Sequence, residues 1–280
     1  VVELGRFNKL TVIRQVEFGV YLEGGKLGGI LLPQREVPND CQLGDTLSVF
    51  VYLDSDDMPV ATTKRPRVQV GEFASLQVAE TNKVGAFLDW GLPKQLFLPF
   101  AEQPRPVEKG QHCIVRAYID NTGRIAASAK VEKFLNKTSP EFVVGQEVSL
   151  LIWRRTELGL LVIIEHEAQG ILHTQDISRD LRPGLKVGGF IKQLREDGKV
   201  DVMLDKPGYG KVDPIAKQLL NYLELKKGFC ALSDKSSPDE IKSVFGVSKK
   251  AFKMAIGNLL KQGLIRQDET GLHLVNSGIE

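Results

Sequence analysis

Cysteine, histidine and tryptophan are scarce in this chain of 280 residues, with three, four and two copies respectively. Cys41, Cys113 and Cys230 stand far apart and are odd in number, which excludes a disulfide framework, and none has the C-x-x-C spacing of zinc or redox sites. His112, His166, His173 and His273 form no H-E-x-x-H pair. His112 and Cys113 are adjacent, so on a strand they point to opposite faces and make no nucleophile and base pair. Gly24, Gly25, Gly28 and Gly29 cluster, but no helix follows to complete a phosphate-binding loop. No catalytic constellation, metal site or cofactor motif emerges, and a small-molecule substrate is not expected. Long apolar runs are missing too: the longest, Leu158–Ile164, is far short of the roughly 20 residues that span a bilayer. The opening residues VVELGRFNKL lack the basic and then apolar pattern of a secretion signal, so a cytoplasmic location, away from membranes, is the expectation. Nor is one sign of charge in excess. The net charge of +2 points to local basic patches rather than a uniformly basic surface.

What the chain does contain is repetition. Gly5, Gly19, Pro33 and Gly44 are spaced by 14, 14 and 11 residues. The same offsets link Gly71, Gly85, Pro99 and Gly110, and again Gly145, Gly159, His173 and Gly184. Each series ends in an alternating strand, LSVFVYLD, HCIVRAYID or GGFIKQLRED, then a turn and a last strand. A unit of about 70 residues with short strands and turn punctuation predicts a small five-stranded barrel. Lys64-Arg65-Pro66-Arg67, Asn136-Lys137-Thr138-Ser139-Pro140 and Pro207-Gly208-Tyr209-Gly210 read as linkers. The expected domains are therefore residues 1–66, 67–139, 140–210 and 211–280.

In the last of these the period changes. Asp213 caps a helix with Pro214 at its first position, an apolar face at Ile215, Leu219, Tyr222 and Leu223, and Gly228 beyond its end. Ser237-Pro238-Asp239-Glu240 is a capping box opening a short helix that stops at Gly246. Ser248 caps a third helix, with Phe252, Ile256, Leu259 and Leu260 expected inside and Gly263 past its end. A hairpin about Asp268-Glu269-Thr270-Gly271 follows. Three helices and a trailing hairpin describe a winged helix.

The repeats resemble the S1 RNA-binding domain, a form of OB-fold, through Phe18-Gly19-Val20-Tyr21 with Gly44-Asp45, through Gly85-Ala86-Phe87 with Asp120-Asn121-Thr122-Gly123-Arg124-Ile125 and Ser128, and through Gly170-Ile171-Leu172-His173. Three such units followed by a winged helix resemble the CvfB (conserved virulence factor B) family of bacterial proteins over nearly the whole chain. The implied fold is mostly β: three tandem S1-like OB-fold barrels, then a C-terminal α+β winged-helix domain. The implied activity is non-enzymatic binding of single-stranded RNA in post-transcriptional control of bacterial gene expression.

By this register the RNA-binding candidates are Phe18, Tyr21, Phe87, Asp120, Arg124, His173 and Lys199. Phe18 and Tyr21 are three apart, hence on opposite faces of a regular strand, unless a bulge at Gly19 unites them; core packing is the alternative for each. Copy two has Val84 in place of the first ring, and copy three has Leu158 and Leu161. His173 takes the S1 histidine position, where the other copies have Pro33 and Pro99. Asp120 and Arg124 match the acidic and basic pair, Lys199 approximates the basic member in copy three, and copy one has Asp54 with Met58. Copy two thus ranks as the best-preserved face, with a solvated hairpin charge the alternative for Arg124. Asp54, Asp56 and Asp57 read as turn formers rather than as metal ligands of a nuclease. On the third helix, Lys250, Lys253 and Lys261 lie opposite Phe252, and Lys249 and Lys250 in its first turn oppose the macrodipole. These four lysines are candidate nucleic-acid contacts, an ordinary solvated face being the alternative. A winged-helix DNA-binding regulator and a protein-interaction adaptor in an RNA-processing or ribosomal complex are the competing readings, with DNA or a protein partner at the winged helix.

Overall fold

Inward and outward residues alternate in the middle of the first strand of the chain, where Leu10 and Val12 turn inward between the exposed Lys9, Thr11 and Ile13. The computed structural model describes residues 1–135, 141–177, 179–205 and 214–275. The linkers expected at 136–140 and 207–210, and the Asp213 cap, lie outside the described residues.

Among the described residues fifteen strands build three closed barrels. The first comprises β1 (Phe7–Val16), β2 (Gly19–Glu23), β3 (Gly29–Pro33), β4 (Thr46–Leu53) and β5 (Pro59–Thr62), closed in the order β1-β2-β3-β5-β4. The second repeats that order with β6 (Phe73–Asn82), β7 (Gly85–Asp89), β8 (Leu96–Pro99), β9 (His112–Ile119) and β10 (Ile125–Ser128). The third does so with β11 (Glu147–Thr156), β12 (Gly159–Ile164), β13 (Ala168–His173), β14 (Lys186–Leu194) and β15 (Val200–Met203). In the first two barrels a parallel pairing, Leu31 with Val60 and Phe97 with Ala126, closes the ring.

The repeating glycines have two separate causes. Those at the first and fourth positions of each series sit in turns at φ between 75° and 92°, a region closed to most side chains. At the second position the chain has no room: a Cβ on Gly19, Gly85 or Gly159 would run into the carbonyl of Leu32, Leu98 or Leu172 on the paired strand. The fourth glycine also donates its N–H to the first strand, from Gly44 to Val12, Gly110 to Val78 and Gly184 to Ile152, at 2.9, 2.8 and 2.7 Å. One residue beyond each acceptor the strand bulges, at Ile13, Ala79 and Trp153. A bulge bends a strand and increases its twist, which lets five strands close.

The described residues divide into two compact units, one comprising Val1–Phe142, Val148–Gly188 and Gln193–Asp201, the other built around the C-terminal domain. Within the first, neighbouring barrels share apolar clusters. Phe50 and Tyr52 of β4 pack with Trp90, Leu92 and Leu96, the Phe50 and Trp90 rings meeting edge-on at 5.7 Å. The run at 64–67, expected as a spacer, is pinned: Arg67 donates its N–H to the Trp90 carbonyl at 2.8 Å and pairs with Asp89 at 2.5 Å. Phe73, Val131 and Leu135 pack with Leu151 and Ile163. There the Phe73 N–H donates to His166 Nδ1 at 2.8 Å and the two rings stack at 6.5 Å.

In the C-terminal domain, α1 (Pro214–Leu225), α2 (Pro238–Phe245) and α3 (Lys249–Lys261) surround a core of Leu219, Leu223, Ile241, Phe252, Ile256 and Leu259. The Ser237 and Glu240 capping box closes with bonds of 3.3 and 2.8 Å, and Ser248 Oγ accepts from the Ala251 N–H at 3.2 Å. Leu260, expected inside, is exposed, and Ala255 takes the inward place. The hairpin strands β17 (Ile265–Gln267) and β18 (Leu272–Leu274) are joined by a short strand that the sequence pattern does not reveal, Phe229–Cys230, which makes the outer edge of a three-stranded sheet. Among the described residues no helix is long and apolar enough to cross a membrane.

Candidate nucleic-acid interface

The second strand of every barrel buries two alternate residues and turns the one between them outward: Tyr21 between Val20 and Leu22, Phe87 between Ala86 and Leu88, and Leu161 between Leu160 and Val162. Pairing then fixes the neighbours of that outward residue. Tyr21 faces Leu31 and Arg14, Phe87 faces Phe97 and Glu80, and Leu161 faces Ile171 and Arg154. The bulge in the first strand sets which residue stands opposite, so the same irregularity that closes the barrel also furnishes its outer face.

On the first barrel Phe18 lies in the hairpin turn, 58% exposed, and its ring meets the half-buried Tyr21 ring edge-on at 6.4 Å. Both rings reach one side, but not through a bulge at Gly19: Phe18 precedes the strand, and the bulge lies across the pair at Ile13. Neither ring fills the core. Arg14 lays its guanidinium over Tyr21 at 4.3 Å, a cation–π contact that keeps a positive charge beside the aromatic pair. The spacing of the repeat gave no sign of Arg14, because a bulge shifts the register by one.

On the second barrel Val84 is exposed in the place of Phe18, while Phe87 and Phe97 lie side by side with centroids at 5.3 Å. Phe97 also escapes a reading based on spacing, since an aromatic in a half-buried strand is ordinary. Asp120 is spent locally: its Oδ1 accepts from the Thr122 N–H and hydroxyl and from the Arg124 N–H, at 2.8, 2.6 and 3.0 Å. Burial raises its pKa, and these bonds outweigh burial and hold the carboxyl below its ordinary range. Asp120 therefore shapes the turn that presents Arg124. The exposed Arg124 guanidinium pairs with Asp57 of the first barrel, whose other oxygen lies 3.2 Å from Lys94 Nζ. These groups line a cleft of about 680 Å³ together with Tyr52, Phe87 and Phe97. Asp54 behaves as a turn former, accepting from the Asp56 and Met58 N–H groups at 2.9 Å each. Asp57 does more than turn the chain.

The third barrel keeps the geometry and changes the chemistry. Leu158, 69% exposed, and Leu161 line an apolar hollow of about 420 Å³ with Ile171, Arg195 and Lys199. Lys199 is drawn to Asp197 at 3.1 Å. His173 Nε2 lies 3.2 Å from Asp201 Oδ1, off the line of a hydrogen bond, so that this buried oxygen has no donor. Among the described residues no three His, Cys, Asp or Glu side chains converge as metal ligands.

On α3, Lys250, Lys253 and Lys261 are exposed around Gly257 and Lys249 is half-buried, with Met254 exposed on the same face. In the hairpin, hydrogen bonds from Thr270 and His273 hold the Asp268 pKa down at about 2.

Comparison with known proteins agrees with this architecture. A family model described as an S1 domain matches residues 4–64 and 70–130, and one described as a CvfB-like winged helix domain matches residues 217–274; the third barrel lies outside these ranges. S1 domains and a winged helix place the chain among tandem proteins of the nucleic-acid-binding type. It is 30% identical to the uncharacterized protein YitL of Bacillus subtilis over 268 residues, 92% of this chain and 89% of that one. It is 27% identical to conserved virulence factor B of Staphylococcus epidermidis over 267 residues, 92% of this chain and 90% of that one. A crystal structure of a multidomain protein with nucleic acid binding domains from Streptococcus pneumoniae aligns over 97% of this chain and 98% of that one, at 27% identity and a TM-score of 0.41. The chain belongs to the conserved virulence factor B family.

Proposed function

We propose that this chain binds single-stranded RNA without chemical turnover, in the cytoplasm, as part of post-transcriptional control of bacterial gene expression. The observation that carries the proposal is the outward ring at one register of two barrels, Tyr21 and Phe87, each with a second ring beside it, Phe18 from the hairpin turn in the first and Phe97 from the facing strand in the second. Single-strand binders stack bases on such rings, at about 1 to 3 kcal/mol per base, and every base has a face to offer. Duplexes keep their bases stacked inside, so rings on a barrel face favour single strands. Arg14 and Arg124 add positive charge beside the two pairs, and His173 and Lys199 are polar contacts of the weaker third face. We take the domains to be 1–66, 67–139, 140–210 and 211–280, and the three barrels to act on one strand, so that individually weak modules reinforce one another.

The exposed lysines of α3 favour a second surface, for the phosphates of RNA or of a DNA duplex; a protein partner is the competing occupant. Fluorescence anisotropy with a labelled oligoribonucleotide at two salt concentrations tests the RNA reading. Micromolar or tighter binding at low salt, weakened strongly by added salt, is expected. Absence of binding at low salt would overturn it, and preference for a duplex of defined sequence would favour a DNA-binding regulator.

A further inference from the structure

Asp57 occupies an unusual place for a hairpin residue. It stands at φ +58°, at the tip of the β4–β5 turn of the first barrel, and its carboxylate reaches two cations of the second. Oδ1 lies 3.2 Å from Lys94 Nζ, and Oδ2 accepts from the Arg124 guanidinium. Lys94 is held in place independently, because its ammonium also donates to the Asp54 carbonyl at 2.5 Å. The hydrogen bond from Lys94, opposed by desolvation and reinforced by Arg124, holds the Asp57 carboxyl below its ordinary range. Two donors converge on one anion beside the Phe87 and Phe97 rings, in the same cleft.

An anion with two oxygens held between a lysine and an arginine has the charge and oxygen geometry of a backbone phosphate. Rings that stack a base need such a phosphate site within a nucleotide's reach, and Lys94 with Arg124 is the cationic pair that lines this cleft. All three partners keep a third or more of their side chains exposed, so the pair is weak and a phosphate meets no closed barrier in displacing the carboxylate. Building Asp57 on the first barrel makes the subsite a product of two domains.

We infer that Lys94 and Arg124 form a phosphate subsite for single-stranded RNA, and that Asp57 holds this subsite as an internal phosphate mimic that the incoming strand must displace. The inference rests on the RNA reading above and adds a residue of negative effect. Removing Asp57 improves binding, whereas ordinary interface residues weaken it when removed.

The test uses the full chain and a labelled oligouridylate of about 12 nucleotides, within the span of such barrels. Asp57→Asn suits the left-handed backbone, since asparagine tolerates positive φ; Asp57→Gly is the second variant should the first lose the wild-type circular dichroism spectrum. Expected at low salt is a tightening of roughly two- to fivefold, the worth of one exposed ion pair. The slope of log affinity against log salt should steepen by about one, because a phosphate on Arg124 then releases a counterion instead of an internal carboxylate. Asp57→Glu, which keeps the charge, should remain close to wild type. In a background carrying Lys94→Gln and Arg124→Gln, removing Asp57 should change nothing. Wild-type binding with no tightening in a folded Asp57 variant would overturn the subsite and leave the RNA reading intact, as would tightening that persists in the double-Gln background. Failure of both wild type and variant to bind at low salt would overturn both.

Discussion

Phe87 and Phe97 on the second barrel and Leu161 and Ile171 on the third occupy the same opposed strand positions, on backbones that share strand order, bulge and glycine turns. One pair is a ring platform in a cleft with two cations, the other an aliphatic hollow. The contrast teaches that the repeat preserves where a side chain points, and residue choice alone decides what that direction is used for. Apolar surface of either kind is excluded from water, but an aliphatic chain offers a base no π-face. Removing Phe87 and Phe97 together should therefore weaken RNA binding about ten- to a hundredfold, the stacking worth of one to two bases. Leu158→Ala with Leu161→Ala should change it less than about twofold, read by anisotropy on variants with the wild-type circular dichroism spectrum.

The reverse experiment sharpens the same contrast. Leu158→Phe with Leu161→Phe copies the aromatic pair of the first barrel onto the third, and binding should tighten by up to about tenfold if the backbone is truly equivalent. No change would mean that Asp201 and His173, or the engagement of Arg154 with Glu132 and the Trp153 ring, leaves the third face unfit.

Charge without stacking should behave differently from both faces. Changing Lys250, Lys253 and Lys261 to Gln should cost roughly fivefold for unrelated sequences alike and flatten the salt dependence, since phosphate contacts carry no base information. An unchanged slope would assign α3 to a protein partner. The smallest expected effect lies where the second and third barrels meet. His166 accepts from the Phe73 N–H and so needs an unprotonated Nδ1. Burial, with Lys186 and Arg116 against Glu72 and Glu165, lowers its pKa from 6.5. A depressed histidine contributes stability that is whole above about pH 6.5 and is lost as pH falls below it, because the unfolded chain binds the proton more readily. Hydrogen-exchange protection of the Phe73 amide should drop over that range in the wild type. It should stay level in His166→Asn, which suits φ +61° and does not titrate.

Much of this was legible in the sequence because glycine is required where the chain turns left-handed or approaches a carbonyl, and the 14, 14, 11 spacing records those places directly. Gly246 marked the end of α2 for the same reason, and the Ser237 and Glu240 capping box marked its start by satisfying free N–H groups. The site was less legible. A bulge displaces Arg14 by one register step, and Phe97 and Leu31 are indistinguishable from core residues until pairing shows them outward of the barrel. Asp57, Lys94 and Arg124 are separated by 37 and 67 residues from Asp57 and meet only because Phe50, Tyr52 and Trp90 hold two barrels together. Asp120 was legible as part of a motif, but its role as a turn acceptor needed the backbone.

Photocrosslinking of the full chain to a short RNA bearing 4-thiouridine, with the crosslinked residues mapped by mass spectrometry, tests most directly whether bases stack on the aromatic faces. Crosslinks are expected to concentrate on the segments carrying Phe18, Tyr21, Phe87 and Phe97, to be sparse on those carrying Leu158 and Leu161, and to be lost from the second barrel in the Phe87 and Phe97 double variant. Crosslinks concentrated on the third barrel, or confined to the C-terminal domain, would contradict stacking on those faces.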